Sequence, residues 1–132
     1  MTQKSNTPKK RERPLSPHLQ IYAPQMTWVP SIMHRIAGGA LAIGTLMIAW
    51  MLIAAAYGPE QFECFMDFAT HPVGLLMLFG WSVALFYHMF NGIRHLFWDM
   101  GYLFKLQNAK RAGLVVFAAT ALATLLLWLP LI

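Results

Sequence analysis

Three stretches of this 132-residue chain carry no formal charge: 22 residues from Ile36 to Tyr57, 26 from Phe68 to Ile93, and 21 from Ala112 to Ile132. A bilayer core about 30 Å thick is crossed by about 20 residues of α-helix, at about 1.5 Å per residue. Each run is long enough for one crossing and too short for two. Backbone groups in lipid must satisfy one another, which favours helices over any open sheet. The runs therefore predict an all-α membrane protein with three transmembrane helices at about 31–57, 72–98 and 112–132, and an interfacial segment before them over 1–30. Composition agrees, at 58% hydrophobic against 11% charged. So short a chain has too much surface to hide that apolar content in one soluble core. A soluble enzyme, a disordered tail and a disulfide scaffold are excluded. The one cysteine, Cys64, cannot bridge within the chain, and there is no CxxC metal motif or CxxCH haem-attachment motif.

The positive charges set the orientation. Lys4, Lys9, Lys10, Arg11 and Arg13 precede the first span, and Arg35 stands at its mouth. Arg94, Lys105, Lys110 and Arg111 cluster between spans two and three, whereas the loop between spans one and two holds Glu60, Glu63 and Asp67 with no Lys or Arg. All ten basic residues fall on one side, which the positive-inside rule assigns to the cytoplasm, or to the matrix in an organelle. The net charge of +5 is thereby explained without nucleic acid, since no separate basic patch remains. The short polar leader lacks the apolar centre of a secretory signal. It favours a bacterial inner membrane with a cytoplasmic N-terminus, the mitochondrial inner membrane being the alternative. Pro14, Pro17, Pro24 and Pro30 are spaced too closely for a long helix, so this stretch is expected along the membrane surface with Tyr22 and Trp28 near the headgroups.

A few polar residues break the apolar rule: Ser31, His34, Arg35, His88, Asn91, Arg94, His95 and Asp99. Polar groups inside a span are costly and usually mark a site. Ser31, His34 and Arg35, spaced i, i+3, i+4, share one helix face. They read either as helix-end decoration, with Ser31 capping and Arg35 reaching to the headgroups, or as a donor cluster for an anionic or carbonyl-bearing ligand. His88 lies about 9 Å deeper than Arg94, too deep for snorkelling. It makes either an interhelical hydrogen bond or a bond to a metal or haem iron. Gly80, Ala84, His88 and Gly92 step by four and would leave a groove for a flat macrocycle. His95 returns to nearly the same face about 10 Å nearer the basic side, where His34 and Arg35 also lie and where haem propionates would point. His18 and His71 read as surface or interface histidines, and the third span, with nothing more polar than Thr120 and Thr124, as scaffold.

RPLSPHLQIY at 13–22, SIMHR at 31–35 and HMFNGIRHLFWDMG at 88–101, in this order and with three spans, resemble the cytochrome b-type membrane-anchor subunit of succinate dehydrogenase, complex II, over nearly the whole chain. One departure is Ala37, where the family usually has Ser or Thr. The resemblance implies that His88 is an axial ligand of haem b. It places Ser31 and Arg35 at a ubiquinone site, His34, Arg35 and His95 near the haem propionates, and Asp99 as an acid near the quinone end. It further implies a hetero-oligomeric helix bundle in which a second membrane-anchor subunit supplies the other haem ligand, docked against an iron–sulfur subunit and a flavoprotein subunit. One buried histidine cannot close a six-coordinate haem alone, because His34 is near a helix end and His95 shares a helix with His88. The implied activity passes electrons from succinate through iron–sulfur centres to ubiquinone. A haem-free quinone-binding anchor, a fumarate reductase anchor and a non-redox membrane assembly protein are the competing readings.

Overall fold

A computed structural model describes residues 28–131. The basic leader, the proline-rich stretch up to residue 27, His18 and Tyr22 lie outside the described residues. Four α-helices follow in order: α1 Val29–Tyr57, α2 Pro59–Thr70, α3 Pro72–Asp99 and α4 Leu106–Trp128, closed by a short 3-10 turn Leu129–Leu131. Three of them, α1, α3 and α4 with its 3-10 extension, are long and apolar enough to cross a membrane.

Local chemistry sets the boundaries. Pro30 stands in the first turn of α1, where the missing N–H costs nothing. The helix thus starts two residues before the expected 31, and Ser31 is not its cap: the N-cap position is Trp28, with no side-chain cap bond. At the far end Gly58 takes φ +129°, ψ 179°, a conformation open essentially to glycine, and Pro59 starts α2 at once. The segment between the first two spans, expected as a loop, is therefore a twelve-residue helix. Phe65 and Ala69 are buried against Ala54 of α1, while Glu60, Glu63 and Asp67 are exposed. His71 caps α3, its Nδ1 accepting from the Val73 N–H at 3.3 Å, a definite role for a residue read only as surface. At the other end of α3, Gly101 has φ +88° and the Trp98 Nε1–H donates to the Leu103 carbonyl at 3.0 Å, tightening the turn into α4. That helix begins at Leu106, not 112, so Lys110 and Arg111 lie on it and Lys105 remains in the connection. Arg94, counted above with that connection, lies within α3.

The central helix is α3, which packs against both α1 and α4, while α2 folds over the end of the bundle opposite the basic residues. Ala37, Tyr87 and Val116 meet where the three spans converge, with Ala84, Phe90 and Phe117 packed around them. Ala37, which departs from the hydroxyl expected in the resembling family, thus serves close packing rather than polar chemistry. Burial runs opposite to that of a soluble protein. Asn91, Arg94, Ser82, Thr120 and Thr124 are inside, while Ile36, Leu46, Leu76 and Leu126 face outward. Apolar side chains gain nothing by leaving lipid, so small residues and internal hydrogen bonds hold such helices together. In the half away from the basic end, the Trp128 Nε1–H donates to Ser82 Oγ at 2.9 Å, and that hydroxyl donates to the Phe79 carbonyl at 2.7 Å. Gly44 admits the Trp81 indole, whose Nε1 would overlap any β-carbon placed there. Gly44→Ala is therefore expected to destabilise the α1–α3 contact by about 1–3 kcal/mol. A lowered thermal midpoint of the purified membrane complex checks this, against an unchanged midpoint for Gly39→Ala, where a β-carbon meets nothing within 4 Å among the described residues.

Candidate haem site

The antiparallel pairing of α1 and α3 brings three imidazoles together at the basic end. The His34 and His88 rings are stacked, with centroids 3.9 Å apart and planes at 10°. His95 approaches the other two through His34, 5.3 Å from it and tilted by 56°. It also meets Trp98 edge-on at 5.3 Å. All three imidazoles are half-buried.

Hydrogen bonding fixes the chemistry of His88. Its Nδ1 lies 3.2 Å from the backbone carbonyl oxygen of His34. A carbonyl only accepts, so Nδ1 carries the proton and Nε2 keeps its lone pair. Among the described residues Nε2 has no hydrogen-bond partner. A histidine held through Nδ1–H on a backbone carbonyl, with a free Nε2, is prepared as a metal ligand of fixed tautomer and orientation. The ring is also set against a glycine: a β-carbon on Gly38 would stand 3.1 Å from its Cε1. Among the described residues no three His, Cys, Asp or Glu side chains gather to hold a bare metal ion. His34 is not placed to be the opposite ligand. Axial partners aim nitrogens at each other across the iron, whereas these rings lie face to face.

The remaining candidates are arranged less tightly. Ser31 is half-buried and Arg35 exposed, one turn apart on α1, and among the described residues no acid pairs with Arg35. Asp99 is exposed at the end of α3, lining a groove of about 560 Å³ with Trp98, Leu103, Phe104, Leu106 and Ala109. It is on the same end of the bundle as Ser31 and Arg35 but makes no ion pair with Arg35.

A polar network beside the imidazoles carries no role in the sequence reading. The Tyr87 hydroxyl and Asn91 Nδ2–H both donate to the Pro30 carbonyl, at 3.0 and 3.4 Å. Arg94 donates from Nη1 to Asn91 Oδ1 at 3.3 Å and from Nη2 to the Ala109 carbonyl of α4 at 3.4 Å, and its guanidinium lies 4.0 Å over the Trp98 ring. Asn91 is 0% and Arg94 3% exposed. The network ties the mouth of α1, one residue before Ser31, to α3 and α4. Its signal in the sequence is the step 87, 91, 94, which puts Tyr, Asn and Arg on one helix face.

Residues 9–127 match the family described as the succinate dehydrogenase/fumarate reductase transmembrane subunit. The chain is 41% identical over 117 residues to the succinate dehydrogenase cytochrome b556 subunit of Rickettsia felis, covering 89% of this chain and 91% of that one. It is 39% identical over 114 residues to the subunit of the same name from Paracoccus denitrificans, covering 86% and 88%. The cytochrome b560 subunit of Reclinomonas americana is 37% identical over 129 residues, covering 89% and 85%. The three apolar spans, the polar residues gathered at one end and these likenesses agree: the chain belongs to the succinate dehydrogenase/fumarate reductase transmembrane subunit family.

Proposed function

We propose that this chain is the haem b-binding anchor of a succinate dehydrogenase, contributing one axial ligand and part of the quinone site. The observation that carries the reading is His88, its Nδ1–H held by the His34 carbonyl at 3.2 Å and its Nε2 without a hydrogen-bond partner among the described residues. The cytochrome names of the relatives support haem, and their dehydrogenase names favour succinate oxidation over fumarate reduction. Bound haem supplies a one-electron redox centre within the membrane. His88 Nε2 would hold its iron, and His34, His95 and Arg35 would supply the cationic and hydrogen-bonding partners its propionates need. The second axial ligand comes from the other membrane-anchor subunit. The flavoprotein and iron–sulfur subunits dock on the basic face, in the cytoplasm of a bacterial inner membrane or the matrix of a mitochondrion.

Ubiquinone is reduced at the mouth of α1. Ser31 Oγ and the Arg35 guanidinium donate to a quinone carbonyl and stabilise the negative charge that develops on its oxygen. Asp99, exposed at the same end of the bundle, is the acid available to exchange protons with water. Arg35→Ala is expected to depress quinone reduction by about 10²-fold or more, the loss typical of removing one oxyanion donor. Succinate oxidation with an artificial acceptor should be spared, and equal loss of both activities would point to misassembly instead. The reading as a whole is tested by reduced-minus-oxidised difference spectra of membranes expressing this chain with and without its companion subunits. A dithionite-sensitive b-type band that requires both anchors supports it. Assembled, succinate-oxidising complex without that band would leave a haem-free anchor.

A further inference from the structure

We infer that Gly38 is a positioning residue for the His88 imidazole, glycine being required there because the ring edge occupies the space a side chain would fill. The inference rests on His88 being the haem ligand. A β-carbon built on Gly38 would lie 3.1 Å from His88 Cε1 and 3.5 Å from Nδ1. A β-carbon on the neighbouring Gly39 would meet nothing within 4 Å among the described residues, and Gly92 would bring its β-carbon only to 3.9 Å from His34 Cε1. Among these glycines, Gly38 alone is set against the candidate ligand.

One turn of α1 fixes the ring in three ways. His34 covers its face at 3.9 Å, the His34 carbonyl takes its Nδ1–H at 3.2 Å, and Gly38 abuts its Cε1 edge. These are i, i+4 positions on α1, so the slot is a single rigid unit. Retreat of the helix would break the packing of Ala37 against Tyr87 and Val116 at the point where the spans converge. A methyl at Gly38 must therefore be relieved by the ring, which turns by a few tenths of an ångström at its edge. Turning the ring alters the hydrogen bond from Nδ1–H to the His34 carbonyl and redirects the Nε2 lone pair. Both the orientation and the hydrogen bonding of an axial ligand tune a haem centre, so the change reads out on the iron rather than only on stability.

The test uses the complete detergent-solubilised complex carrying Gly38→Ala, Gly39→Ala or His88→Ala, each normalised to flavin content. The expected result is that Gly38→Ala moves the low-field electron paramagnetic resonance line of the oxidised haem and shifts its midpoint potential. Gly39→Ala should leave both at wild-type values. Loss of haem from assembled Gly38→Ala complex alone, with Gly39→Ala fully loaded, supports the inference equally. Wild-type line position and potential in Gly38→Ala would overturn it while leaving His88 as ligand. Equal perturbation in both glycine variants would also overturn it, pointing to general packing of α1. A normal low-spin spectrum in His88→Ala would remove the reading on which the inference rests.

Discussion

Replacing His88 by Ala is expected to abolish the low-spin b-type spectrum of the assembled complex, while replacing Leu76, an outward-facing residue of the same helix, should leave it intact. The expected effect is complete because no other imidazole of the cluster stands ready to take over. His34 belongs to α1 and lies stacked on His88 with its centroid 3.9 Å away, so it does not occupy the place of the His88 ring. His95 is nearly two turns away on the same helix and touches His34, not His88. The partner of His88 Nδ1 is the backbone carbonyl of His34, which no side-chain substitution removes. Absorbance of the dithionite-reduced complex checks the outcome at constant flavin content.

The second large effect concerns stability. Asn91 and Arg94 are fully enclosed, and Arg94 has no carboxylate partner among the described residues. Its cation is held by Asn91 Oδ1, the Ala109 carbonyl and the face of Trp98, while its Nε has no partner among the described residues. Asn91→Leu keeps the volume but removes one of those bonds, and hydrogen bonds to charged groups are worth about 1.5–3 kcal/mol. The same change deprives the Pro30 carbonyl of one donor, loosening the start of α1. A buried cation left short of partners is worse than an apolar side chain in its place. Asn91→Leu is therefore expected to lower the thermal stability of the complex clearly, and adding Arg94→Met should recover most of the loss. Additive destabilisation in the double variant, measured by thermal inactivation, would show that the two residues act independently.

The membrane spans were legible because charge-free runs of helical crossing length have few other uses. What lay between them was not. Glu60, Glu63 and Asp67 marked the first connection as polar, and their helical spacing opposite Phe65 and Ala69 went unread because a short amphipathic helix resembles a loop in composition. Arg94 fell inside the expected second span, but its partners did not follow from that. The positive-inside rule treats a basic residue near a span end as solvated, and only the packing of α4 on α3 shows that this one faces inward. The site divides along the same line. Ser31, His34 and Arg35 shared a face by arithmetic within one helix, and so did His88 and His95. That His34 covers His88, and that its carbonyl selects the tautomer, depends on the register of α1 against α3, which no single-helix spacing contains. Gly38 belongs to that register too.

The central claim is that the Nε2 of His88 bonds to haem iron. A high-resolution map of the complete complex tests it most directly. The account predicts a porphyrin between the two anchor subunits, its iron bonded to His88 Nε2 on one side and to a residue of the companion anchor on the other, with Nδ1–H still donating to the His34 carbonyl. A map in which the His88 ring contacts only neighbouring helices, with the porphyrin ligated elsewhere or no porphyrin within reach, would contradict it.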